Sequence, residues 1–142
     1  MTGRVVGYVP GAFDLFHIGH LNILRRAAEG CDYLIAGVVT DEVLLEAKGK
    51  RPTMPLSERM ELVGSIACVD EVVVDVSSDK FVMWRRLGFD VLFKGDDWRG
   101  TPKGDRLERD LGAVGVRVVY FPYTAHTSST ALQALIAGRR DG

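Results

Sequence analysis

Cysteine is scarce in this chain: its 142 residues include two, Cys31 and Cys68. Two thiols cannot build a disulfide framework, and a chain of this length buries enough apolar surface to need none. Their flanks, Gly30-Cys31-Asp32 and Ala67-Cys68-Val69, hold neither a base nor a cluster of ligand residues. Free thiols in a reducing cytoplasm are therefore expected, and no metal site. No sign of charge dominates either. The 18 Lys+Arg stand against 19 Asp+Glu, a formal charge of -1, which argues against a general binder of nucleic acid or acidic membrane. Long apolar runs are missing as well. The longest, Val5 to Phe13, is interrupted by Gly7, Pro10 and Gly11 and is far too short to span a bilayer. Met1-Thr2-Gly3-Arg4 leads straight into strand-like residues, so no export signal is expected.

What the sequence does contain is the composition of a globular domain, 46% hydrophobic and 26% charged. The length predicts one domain over residues 1–142. Short β-branched runs alternate with helical spacing. Strands are predicted at Val5–Val9, Tyr33–Val39, Val69–Val76, Val91–Phe93 and Val116–Phe121. Helices are predicted at Ile18–Ala28, from Pro55-Leu56-Ser57-Glu58 through Ile66 with Ser57 as cap, and at Lys80–Leu87, Asp105–Ala113 and Ser128–Ala137. Strands that are apolar on both faces and alternate with helices predict an α/β domain with a five-stranded parallel sheet covered on both faces. Such sheets bind ligands beyond the carboxyl ends of their strands, and the unusual clusters of this sequence fall there.

The first cluster is Gly11-Ala12-Phe13-Asp14-Leu15-Phe16-His17-Ile18-Gly19-His20, which holds two of the three histidines. Three-residue spacing places His17 and His20 on one side of the first helix, at its N-terminus. Unpaired N–H groups and the helix dipole favour an anion there, and Gly19 lets a ligand approach the backbone. Two imidazoles aimed at one point suit charge that develops on a phosphate during displacement. Asp14 is placed to cap the helix or to orient a histidine. Packing histidines and a two-histidine metal site are the competing readings.

Gly-x-Phe-Asp-x-x-His-x-Gly-His resembles the signature of the HxGH nucleotidyltransferases, and in particular their cytidylyltransferase branch. The resemblance implies a Rossmann-like fold and two histidines that stabilise the α-phosphate of a nucleoside triphosphate while a phosphorylated acceptor displaces pyrophosphate. It further implies nucleotide contacts at Ala12 and Phe13, CTP as donor, Mg²⁺ with the triphosphate, and a cytoplasmic homodimer.

Four more segments are similar to that family, in family order. Thr40-Asp41-Glu42 follows the second strand. Lys48-Gly49-Lys50-Arg51-Pro52 is a basic loop in which Lys48 and Lys50 are implied to meet phosphates; a lysine on a loop is a movable point charge. Val69-Asp70-Glu71-Val72 opens the third strand, with Ala67 where relatives carry arginine, and Lys80 resembles a second acceptor-phosphate lysine. Lys94-Gly95-Asp96-Asp97-Trp98 is the cluster most specific to the branch, and Asp97 with Trp98 is implied to line the nucleotide or acceptor pocket. The last, Tyr123 to Thr130, has Tyr123 in place of an arginine. Thr124, Ser128, Ser129 and Thr130 offer hydroxyls and a helix N-terminus to the β- and γ-phosphates. Glycerol-3-phosphate cytidylyltransferases carry the most similar set. The acceptor implied is a small phosphorylated alcohol; the alternatives are an adenylyltransferase acting on a sugar phosphate or other phosphorylated acceptor and, third, a nucleotide-binding module without catalysis.

Overall fold

A computed structural model describes residues 3–122 and 129–141. Five strands, β1 (Val6–Gly11), β2 (Tyr33–Val39), β3 (Glu71–Asp75), β4 (Val91–Gly95) and β5 (Arg117–Phe121), form one parallel sheet in the order β3-β2-β1-β4-β5. The helices are α1 (Ile18–Glu29), α2 (Asp41–Lys48), α3 (Leu56–Gly64), α4 (Lys80–Leu87), α5 (Pro102–Gly112) and α6 (Ser129–Asp141), with a 3₁₀ turn at Asp96–Trp98.

Side-chain alternation along the central strands builds two cores, one on each face. Val9, Leu34, Ala36, Val38, Val91 and Phe93 meet Leu24 and Ala27 of α1 and Val63 of α3. Tyr8, Ile35 and Leu92 point the other way, onto Met83 of α4 and Leu107 and Leu111 of α5. The expected five-stranded, doubly covered α/β domain is thus the observed one.

The chain moves outward from β1 through β2 to β3, then crosses to the other side of β1 for β4 and β5. The β1–β4 ladder pairs only Gly7 with Val91 and Tyr8 with Leu92, while β1 stays paired to β2 as far as Gly11 with Val38. Beyond Tyr8 the two strands part, and a crevice opens at the carboxyl edge, where a doubly wound sheet binds its ligands. This also explains why β1 runs through Pro10-Gly11, which read as a stop. Past Leu92 there is no β4 partner, so the N–H that proline lacks is missed by no ladder.

Other boundaries shift for local reasons. Ser57 does not cap α3: the N-cap is Pro55, with no side-chain bond. Helix α5 starts earlier than expected because Thr101 caps it through Gly104 N–H (3.1 Å) and Pro102 fits its first turn. Strand β4 extends through Lys94 and Gly95, which were expected in the following loop. Helix α2 was not expected at all. Thr40 caps it through Val43 N–H (3.2 Å) and Gly49, at φ 74°, ends it, but it buries only Leu44, so it leaves no apolar periodicity to read.

Gly37 of β2 faces Tyr8 of β1, and a Cβ built at Gly37 would collide with the Tyr8 hydroxyl. Gly37→Ala should therefore lower the unfolding free energy by about 1–3 kcal/mol, the usual cost of overpacking a core. Chemical denaturation checks this, and an unchanged midpoint would mean that the tyrosine can move aside.

Candidate active site at the carboxyl edge of the sheet

The turn between β1 and α1 is held in a costly shape. Phe13 (φ 52°) and Leu15 (φ 50°) are non-glycine residues in the left-handed region, at about 1–2 kcal/mol each. Between them lies Asp14, 3% exposed. Its carboxylate accepts hydrogen bonds from the N–H groups of Thr53 (2.8 Å) and Met54 (2.9 Å) and from Gln133 Nε2 of α6 (2.6 Å). Asp14 thus clamps three segments together, and its charge also acts on His20, where it opposes the fall in pKa.

A second clamp was missed from the sequence. Arg59 of α3 is fully buried. Its guanidinium donates to Met54 O (3.0 Å), Ala12 O (2.8 Å), Val39 O (2.8 Å) and Asp41 Oδ1 (2.5 Å). It joins the exits of β1 and β2, the start of α2 and the approach to α3. Ala12 thus presents its carbonyl to Arg59, and the Phe13 ring is buried against Phe16 and His20. Any ligand contact at these two positions falls to the remaining backbone groups.

The cap of α1 is His17 itself. His17 Nδ1 accepts from Gly19 N–H (3.0 Å), and His20 Nδ1 accepts from His17 N–H (3.2 Å), a reciprocal capping box. The rings lie 3.9 Å apart between centroids. Burial lowers the His17 pKa, and burial together with the neighbouring His17 takes His20 down to about 3. Both rings are neutral at physiological pH. Because each Nδ1 accepts, each proton sits on Nε2, so the pair offers two uncharged N–H donors at a helix N-terminus.

Cations gather at the exits of the other strands. Lys80 begins α4 and its Nζ lies 3.1 Å from Asp75 Oδ1 and 2.9 Å from Ser77 O. Asp75 is fully buried and accepts a hydrogen bond from Tyr8 Oη (2.5 Å). Lys94 sits 4.0 Å from the centre of the Trp98 ring. Burial lowers its pKa to about 8; Asp97 opposes the shift, and Lys80, Lys48 and Lys103 add to it. The structure thus brings Lys48 and Lys80, both expected at phosphates, together with Lys94 and with Lys103, which the sequence did not single out. Lys50 and Asp97 are exposed. Trp98 lines a cleft of about 330 Å³ with Lys80, Phe81, Lys103 and Arg106. Ser129 and Thr130 open α6, whereas Tyr123, Thr124 and Ser128 fall outside the described residues. Cys31 and Cys68 are free thiols. Among the described residues no group of three His, Cys, Asp or Glu could hold a metal, and no helix is long and apolar enough to cross a membrane.

Residues 8–135 match the family model described as cytidylyltransferase-like. The chain belongs to that family. It is 34% identical over 142 residues to glycerol-3-phosphate cytidylyltransferase of Bacillus subtilis, covering 95% of this chain and 98% of that one. It is 44% identical over 115 residues to ethanolamine-phosphate cytidylyltransferase of Dictyostelium discoideum, covering 74% of this chain and 31% of the relative. To the FAD synthase of Thermococcus sibiricus it is 31% identical over 122 residues, covering 85% and 82%. Several longer relatives are matched over only a fifth to about a quarter of their length.

Two outcomes test this geometry. Arg59→Met leaves three carbonyls and Asp41 without their donor and should cost about 3–5 kcal/mol of stability in chemical denaturation. A cost below about 1 kcal/mol would mean that the segments are held by other contacts. The second concerns His20, whose folded pKa is depressed, so the unfolded chain takes up its proton first. Its stabilisation is complete above the unfolded value of 6.5 and is lost as pH falls from there toward about 3. Between about pH 7 and 5.5, His20→Asn should therefore lose about 1 kcal/mol less than the parent chain. Equal losses would show that His20 is charged in the fold.

Proposed function

We propose that this chain transfers CMP from CTP to the phosphate of a small phosphorylated alcohol, with glycerol-3-phosphate the first candidate. An acceptor phosphate oxygen attacks the α-phosphorus, the bond to the oxygen bridging toward the β-phosphorus breaks, and pyrophosphate leaves with its electron pair. The observation that carries this reading is the pair of neutral Nε2–H donors on the α1 N-terminus, at the same sheet edge as the lysine group. Preorganised donors stabilise charge that grows on the α-phosphate without a proton transfer. Lys48, Lys80 and Lys94 repel one another until a polyanion arrives, so binding a triphosphate and a phosphorylated acceptor relieves a strain already present in the free protein. In this reading the N–H groups at the start of α6 receive the far end of the triphosphate. Mg²⁺ fits as an ion carried by phosphate oxygens and water rather than by a cage of protein carboxylates, and when bound it neutralises triphosphate charge.

The similarity to a glycerol-3-phosphate cytidylyltransferase along nearly the full length of both chains supports CTP and a phosphoalcohol. The similarity to an FAD synthase keeps ATP as the rival donor. Purified protein with Mg²⁺, CTP or ATP, and a panel of glycerol-3-phosphate, ethanolamine phosphate, choline phosphate, ribitol-5-phosphate and a sugar 1-phosphate should release pyrophosphate with CTP. His17→Ala should reduce kcat about 10²–10³-fold, the scale of losing one oxyanion donor. Turnover with ATP alone would replace this reading by adenylyl transfer, and silence with every pair would overturn it.

A further inference from the structure

Lys80 is held by a polar network that reaches across three strands. Asp75 ends β3 and is fully buried. Its carboxylate accepts from Tyr8 Oη (2.5 Å) and from Ser77 N–H (3.2 Å), and Oδ1 lies 3.1 Å from Lys80 Nζ. Tyr8 belongs to β1, so its ring has to pass over β2 to reach Asp75. It does so at Gly37, where a Cβ would collide with the hydroxyl. The sheet thus forgoes a side chain at Gly37 to admit this bond, and a buried carboxylate is tolerable only with such partners.

Lys80 itself is set in an unfavourable place for a cation. It is the first residue of α4, at the end of the helix where the dipole disfavours positive charge. Its side chain is only 10% exposed, although a lysine head is strongly hydrated when free. The ammonium donates to Ser77 O (2.9 Å) and is ion-paired with Asp75. An ammonium carries three donors, and among the described residues these two are its partners. Lys80 also lines the cleft of about 330 Å³ with Trp98, Lys103 and Arg106. Asp79 and Asp110 line that cleft as well, so its cations and carboxylates nearly balance. An anion is then gripped there by a fixed, charge-assisted donor more than by net field.

We propose that Asp75, itself oriented by Tyr8, is a positioning residue that holds the Lys80 ammonium at the cleft, with its remaining donor free for the phosphate of the acceptor. The inference rests on the transfer reading for the identity of that phosphate. Without the carboxylate, the buried ammonium loses its counter-charge and swings out to water on its flexible stem.

Glycerol-3-phosphate is titrated into the full chain beside the α,β-methylene analogue of CTP, which cannot release pyrophosphate. The Lys80 side-chain signals are followed by NMR, assigned by their loss in Lys80→Met, and calorimetry gives the affinities. The Lys80 signals should move as glycerol-3-phosphate is added. Lys80→Met should weaken its binding at least about tenfold, and Asp75→Asn at least about fivefold. The affinity for the CTP analogue should change less than about twofold in Asp75→Asn. The double variant should bind glycerol-3-phosphate no more weakly than Lys80→Met alone, because Asp75 acts through Lys80. Tyr8→Phe should weaken it about threefold, and keeps the test open should Asp75→Asn fail to fold.

A merely structural Asp75 would lower stability and leave the acceptor's affinity alone. Unchanged affinity in Asp75→Asn and Tyr8→Phe, or losses that add to those of Lys80→Met, would overturn the proposal. So would Lys80 signals that glycerol-3-phosphate does not move. Pyrophosphate release from CTP and glycerol-3-phosphate is recorded with the same proteins. Coupled losses of binding without release in the parent chain would overturn the transfer reading and leave Asp75 as the residue that positions Lys80 for a phosphate.

Discussion

One buried cation organises the carboxyl edge of this sheet. Arg59 reaches from α3 to the backbone at the ends of β1 and β2, to Asp41 at the start of α2, and to Met54 in the following loop. A guanidinium out of water is tolerable only when its donors are satisfied and its charge is opposed. Here both conditions are met by groups from four different segments, so the segments hold one another in register. Asp14 makes the reciprocal arrangement with a buried carboxylate and N–H donors. Between them, the two clamps offset the cost of keeping Phe13 and Leu15 in left-handed backbone just ahead of the histidines.

That rigidity has a chemical use. A capping box made of two imidazoles fixes the ring that each histidine presents and the nitrogen that carries its proton. Neutral donors are what the arrangement supplies, and the positive charge is left to lysines from β4, α2 and the N-terminal turns of α4 and α5. Lys94 is the one whose pKa is lowered. It is held down to about pKa 8 by burial and by its fellow lysines, and it rests on Trp98. Such a crowd of like charges favours an anionic ligand.

Much of this was legible in the sequence. Strands apolar on both faces and the breaks between them predicted a five-stranded parallel sheet, and the histidine motif follows the carboxyl end of β1 as that topology requires, whereas Val69-Asp70-Glu71-Val72 lies at the start of β3. His17 and His20 were named from their spacing at the head of a helix, and Lys48, Lys80 and Trp98 from the family resemblance. Arg59 was not, because its partners are 47, 20 and 18 residues away at Ala12, Val39 and Asp41. A lone arginine inside a helix of mixed charge looks like surface. Asp75 and Tyr8 were hidden for the same reason: they meet across the sheet, 67 residues apart. Pro10 misled because its neighbourhood implied a stop, whereas strand β1 had lost its β4 partner by then. The general pattern is that periodicity reports burial along one element, while buried polar networks join several and leave no period.

The central claim is that His17 and His20 stand at the head of α1 as neutral rings protonated on Nε2, locked by bonds to Nδ1. Two-bond proton–nitrogen correlation NMR on the histidine side chains, at about pH 7, reads the protonation of each nitrogen directly. The account predicts the Nε2–H pattern for both residues. An imidazolium pattern, or a proton on Nδ1 of either ring, would contradict it.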